Sequence, residues 1–560
     1  MKSQVPTAAR RIRGVAALAV VWGAAAAPAT AQRPTSVPGL GALAFPVSCT
    51  AAARGAFVRG VLLLHLFEYP FAATAFREAE RIDPDCAMAY WGEAMTFNHP
   101  VWDEQDEDAG RAALGKLAPT PEARAARART PRERAYLDAA TALYGDGPKA
   151  RRDTLYAEAM LGVSRANPTD DQARLFYALA LLGLSQGVRS ESTYARAAAI
   201  ADSVFARSPD DPGAAHYLIH AVDDPAHAAG GLDAARALAR TATLADHAQH
   251  MTSHIFVALG RWDDAARANE IAQHLVNDAR RRAGLLPLYC RHYNVWLAYA
   301  YAQQGRLAAA RLVTERCRTQ AAGEGGRGES GAVDEQTLLA MWSQYLFATG
   351  DWTGALAQWT ADPGATLGAR TTYWFTQGCL AARRHDLAAA RAARDAFSQV
   401  ERETAAWAAS APAGGDRQEP ARARVLEAEL DGLIAIEAGE AERGIARLRE
   451  ATRAEDSMPY TFGPPFVNQP SHELLGAELA RLGRSADAET EFRRALERAP
   501  RRTSALLGLA RAAAAAGDAG AAGAAYAELA GIWRRADPDL SGAVEARAYL
   551  REHVKKGVSP

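Results

Sequence analysis

Aromatic residues are only 8% of this 560-residue chain, cysteines number five, and no block of basic residues stands anywhere in it. Scarce aromatics, with alanine in runs of two to five, favour helices over strands and exclude an all-β fold. Lys+Arg (64) nearly equals Asp+Glu (65) without clustering, which excludes a nucleic-acid partner on electrostatic grounds. Past the N-terminus no stretch reaches about 18 consecutive strongly apolar residues, so no membrane span is expected there. There is no G-x-S-x-G elbow and no P-loop, and no cysteine carries a catalytic histidine pattern. What the chain does have is ample apolar material, 49% of residues, enough for a folded protein with a large core.

The first residues have a three-part layout. Lys2, Arg10, Arg11 and Arg13 precede an apolar run from Gly14 to Ala27, and Ala29-Thr30-Ala31 supplies a small-x-small cleavage site. That is the pattern of a secretory signal peptide. The expectation is a soluble protein exported to the periplasm or beyond, with 1–31 removed and 32–48 a linker. In an oxidising compartment disulfides are permitted. Cys49 and Cys86 precede equivalent helix starts of consecutive repeats and are the candidate pair, with Cys290 and Cys317 a second.

A period of 34 residues organises the rest. Gly60, Ala72, Phe76, Ala79 and Pro84 sit where small, aromatic and helix-ending residues belong in a unit beginning at 53, and this is the tetratricopeptide (TPR) pattern. Gly483, Ala488, Phe492, Ala495 and Pro500 repeat it from 469, followed by Gly517, Ala522 and Tyr526 from 503. Further units are framed from 212, 246, 291, 336, 371 and 425. The expected fold is all-α, a TPR-type helical-repeat solenoid, with an N-terminal part over 49–320 and C-terminal repeats over 321–560. Loops are expected at 103–108, 323–331, 409–420 and 459–470, the last kept ordered by Gly463-Pro464-Pro465.

Several local stretches go together: Leu64-His65-Leu66-Phe67-Glu68-Tyr69, Cys86-Ala87-Met88-Ala89-Tyr90-Trp91-Gly92, His99-Pro100-Val101-Trp102, His216-Tyr217-Leu218-Ile219-His220, and His247 to Phe256. In these segments and their order the chain resembles a bacterial family of exported TPR proteins, except that Thr252 stands where that family usually has proline. The resemblance implies an exported helical-repeat protein and carries no reaction with it.

The histidines are unevenly spread. In the repeat frames His65, His99, His216, His220, His247, His250, His254 and His292 all fall on positions that line the concave face of TPR arrays, with Asp223 and Asp224 one turn beyond His220. Eight of thirteen histidines thus occupy five of 34 positions, where an even spread would put about two. Residues three, four and seven apart share a helix face. His247, His250 and His254 therefore form one stripe, and His216, His220 and Asp223 another. Neutral imidazole is the commonest transition-metal ligand, and the expectation is a His-lined groove holding a transition metal, copper or zinc favoured, or a metal-dependent ligand. Met88, Trp91 and Met95 share those lining positions, where a soft Met-His surface would favour copper and core packing is the commoner use. Two alternatives stay open. One is a metal-free scaffold for a protein, peptide or small ligand. The other is a metal-dependent hydrolase or oxygenase using His216, His220 and Asp223 as two histidines and a carboxylate; the glutamate of a zinc-protease helix is missing, since Tyr217 follows His216.

Overall fold

Paired helices with small residues at their contacts make up most of the described residues. The computed structural model describes residues 34–185, 189–322, 331–364, 366–410 and 418–555. The proposed signal peptide, and most of the loops expected at 323–331 and 409–420, lie outside them. Phe76 shows how a repeat closes. Its ring, fully buried, fills the space between the Ala51–His65 and Ala87–Met95 helices, and it rests on Gly60 and Gly92.

Antiparallel hairpins follow one another along the sequence: Ala51–His65 with Tyr69–Ile82, Asp171–Gly183 with Glu191–Phe205, Pro212–Ala221 with Leu232–Thr241, Asp246–Ala258 with Trp262–Arg282, and His292–Gln303 with Leu307–Ala322. Four more run from Leu367–Arg383 to Ala519–Ile532. The fold is an all-α helical-repeat solenoid, in which each hairpin buries its apolar face on the next. Among the described residues no helix is long and apolar enough to cross a membrane.

Two segments depart from the sequence reading. The unit framed from 336 has a first helix, Gly331–Thr349, but its second is reduced to the 3-10 turn Leu356–Gln358. Asp351 holds that turn by accepting from the Gly354 N–H at 2.7 Å. The stretch read as a linker is structured from residue 35. Thr35–Val37 and Gly41–Leu43 pair antiparallel, with Thr35 opposite Leu43, and Phe45 packs edge-on against Phe57 at 5.2 Å.

The array also returns on itself, and Pro34–Pro560 is one compact unit. Trp262 donates through its indole N–H to the Arg501 carbonyl at 2.9 Å. The Thr503 N–H donates to Gln303 at 2.9 Å, and the Trp533 indole to the Gln303 carbonyl at 3.1 Å. Cys49 is bonded to Cys86 and Cys290 to Cys317. Cys379 is a buried thiol whose pKa burial pushes well up.

Candidate metal centre

Three helices carry the histidines: Pro212–Ala221, Asp246–Ala258 and His292–Gln303, each the first of its hairpin. Stacking brings the first helices of neighbouring repeats side by side, about 8–10 Å apart. Two trios result. His216, His220 and His247 form one, and His250, His254 and His292 the other, with the ligand nitrogens of each trio all within 4.8 Å of one another. The trios adjoin: ring centroids are 6.1 Å apart between His220 and His254 and 6.4 Å between His247 and His250.

Hydrogen bonds behind three of the rings fix which nitrogen faces inward. His216 donates from Nδ1 to the His65 carbonyl at 2.6 Å, leaving its buried Nε2 without a partner. The Nε2 atoms of His220 and His247 are buried and unpartnered as well. In the second trio His250 Nδ1 faces Asn269 Oδ1 at 2.7 Å. The Asn269 amide donates to the Ala265 carbonyl at 2.8 Å, so its oxygen is the atom turned to His250. His254 Nδ1 meets the Asp223 carboxylate at 2.5 Å. This backing of a ring by carbonyl, amide or carboxylate is the usual support of a metal-binding histidine.

Burial keeps the rings neutral. His216 is held down to about 4, chiefly by desolvation. His220, His247, His250 and His254 lie well below the ordinary histidine value for the same first reason, with neighbouring imidazoles adding to it. His292 is exposed at the rim, yet the surrounding helices also lower it.

Four predicted ligands stand elsewhere. His65 has both ring nitrogens engaged, Nδ1 with the Tyr217 hydroxyl at 2.8 Å and Nε2 with Gln172 Oε1 at 2.6 Å, so it is a buried structural residue. His99 is stacked on Tyr69 at 4.0 Å and bonded to the Thr96 carbonyl at 3.1 Å. Asp224 is taken by Arg189 at 2.5 Å and by His227 at 2.8 Å, and it organises the turn after the Pro212–Ala221 helix. Asp223 belongs to neither trio. It sits behind His254, so the two-histidine, one-carboxylate set is replaced by His216, His220 and His247. Met88, Trp91 and Met95 are core residues.

The walls are aromatic and were not read from the sequence as part of a site. Phe67, in the left-handed region at φ 59°, lies over the first trio, its ring 4.4 Å from His216 and 5.6 Å from both His220 and His247. The L-H-x-F-E-Y stretch thus supplies a carbonyl to His216, a cover in Phe67, and Glu68, which accepts from the His247 N–H at 3.4 Å. Burial and the neighbouring Asp246 raise Glu68 to about 8. Trp102 approaches His247 edge-on at 5.5 Å and is 44% exposed. Trp296 stacks on His254 at 4.2 Å. Phe462, from the loop at 459–470, lies 5.1 Å from the same ring. The expected open groove is therefore roofed, and most of the imidazoles are buried.

No family model and no curated protein matches the chain. Among solved structures it is similar to the anaphase-promoting-complex hetero-tetramer Cut9–Hcn1 (12% identity, TM-score 0.27, covering 90% of this chain and 96% of that one). It is similar also to yeast Tom70 (11%, 0.28, 90% and 96%) and to Naa15/Naa10 bound to HypK-THB (12%, 0.24, 91% and 92%).

Proposed function

We propose that this protein is an exported helical-repeat solenoid that binds transition-metal ions through its two histidine trios. One observation carries the reading: the Nε2 atoms of His216, His220 and His247 converge, buried and without partners. An unsatisfied buried polar atom costs about 1–3 kcal/mol, and three together are retained only where something pays that cost. A proton is a poor candidate, because desolvation already holds these rings neutral. A metal ion takes the neutral lone pair directly.

Three histidines with a fourth position free suit zinc or copper. Bonds of about 2.0–2.1 Å bring ligand nitrogens to roughly 3.4 Å from one another, so each trio contracts on binding. The outlying repeats, with no comparable cluster among their described residues, are the surface for a protein partner.

Elemental analysis of protein purified with copper and zinc supplied is the test. Bound metal that falls when His220 is replaced by alanine supports the reading. Protein that stays metal-free under these conditions leaves a metal-free scaffold.

A further inference from the structure

Resting on that metal reading, we propose that the two trios hold their ions as a coupled pair that shares one small anionic ligand. The trios are not separate sites on one scaffold. His247 and His250 belong to different trios yet stand one turn apart on the same helix, and the inter-trio ring distances of 6.1 and 6.4 Å approach the 4.8–5.3 Å found within trios. A bridged pair requires the two ions to come to the separation of two-metal sites, about 3.5–4 Å.

Charge argues for the shared ligand. All six ligands are neutral, so two divalent ions bring their full charge into a largely buried site, which is costly without compensation. The carboxylates nearby sit behind the rings: Asp223 on His254 Nδ1 and Glu68 on the His247 backbone. Each ion has three nitrogens and lacks a fourth ligand. One anion between the two ions completes both shells and offsets their charge. Hydroxide and azide have that size and charge. The aromatic cover of Phe67, Trp296 and Phe462 admits nothing large over the rings, so the shared ligand is a few atoms in size.

Copper(II) is the probe, because two bridged copper(II) ions pair their spins and lose their paramagnetic signal. The full-length protein is loaded with copper(II), its copper content is measured, and the spin is counted by paramagnetic resonance with and without azide. The expected result is two coppers per chain, a spin count well below the copper count, and a new azide-to-copper absorption saturating at one azide per pair. His292→Ala touches an exposed side chain and keeps the core intact; it is expected to lower the copper content to one per chain and restore the full spin. Two coppers with full spin in both the presence and absence of azide, or one copper in the unmodified protein, would overturn the pairing and leave the metal reading standing. No copper at all would fell the metal reading and this inference with it.

Discussion

His250 and His254 face each other through their Nε2 atoms at 3.2 Å, while the far nitrogen of each ring is tied to Asn269 and to Asp223 respectively. With Nδ1 protonated on both rings, two lone pairs point at one another. A cation between them makes that contact favourable, and burial disfavours the extra proton that would charge the pair.

The backing residues should therefore matter nearly as much as the ligands. Replacing Asp223 by asparagine, or Asn269 by leucine, is expected to weaken metal binding in the second trio about 10- to 100-fold and to leave the first trio's ion in place. Competition against a chelator of known affinity reads the two ions separately. Equal loss of both ions would contradict the assignment of backing residues to trios.

Acid should destabilise the metal-free protein earlier than its carboxylates require. His65 and His216 are held at about 4 by desolvation, against an unfolded value of about 6.5. Between these values the unfolded chain binds the proton and the folded one does not, so stability is full above about pH 6.5 and falls as the pH drops toward 4. Each group contributes up to about 3 kcal/mol. Melting temperatures of apoprotein from pH 7 to 4.5 should decline, and more gently in His65→Gln, which keeps a hydrogen-bonding side chain but no titration.

The Cys49–Cys86 bond closes a separation of 37 residues at the open end of the array. Chain-entropy arguments give it about 3–4 kcal/mol. Urea unfolding of Cys86→Ala should show a loss of that order at the N-terminal hairpins. A change below about 1 kcal/mol would mean that the hairpin at 35–43 already caps the array by itself.

Gly463 has φ 92°, and a Cβ there would lie 2.4 Å from the Trp296 ring. Gly463→Ala must displace either the loop or the indole that stacks on His254. A destabilisation of about 1–3 kcal/mol is expected, with weaker binding in the second trio and an unchanged first. Differential scanning calorimetry and metal titration of the one variant test both parts.

Phe67 pairs an unfavourable backbone with a ring that covers the first trio. Phe67→Gly and Phe67→Ala both remove the cover and should speed metal release to a chelator several-fold. The glycine variant should be the more stable by about 1 kcal/mol, since φ 59° costs it nothing. If alanine proved equally stable, the backbone would have relaxed once the ring was gone.

Much of this was legible in the chain because repeats translate directly into geometry. A glycine, an alanine, an aromatic and a proline at fixed offsets placed Phe76 between two helices, and the same frames put His216, His220, His247, His250, His254 and His292 on neighbouring first helices. Periodicity gives a face and a neighbour; it does not give the partners of a ring. Hence the repeat frame groups His65 with the ligands although Tyr217 and Gln172 occupy both its nitrogens, and it groups Asp224 with Asp223 although Arg189 holds it. The roof was beyond a repeat reading for another reason. Phe462 lies some 200 residues from His254, and only the return of the late hairpins onto Trp262 and Gln303 brings it there.

That return sets a timetable. All six imidazoles have been synthesised by residue 292, whereas the strap bearing Phe462 follows about 170 residues later, and the hairpin that latches it against Gln303 later still. During synthesis the early hairpins thus precede the strap, and the second trio is made before its cover. On the proposed metal reading, loading of that trio would have an open interval before the last hairpins dock, and the docked strap would then slow release of the ion.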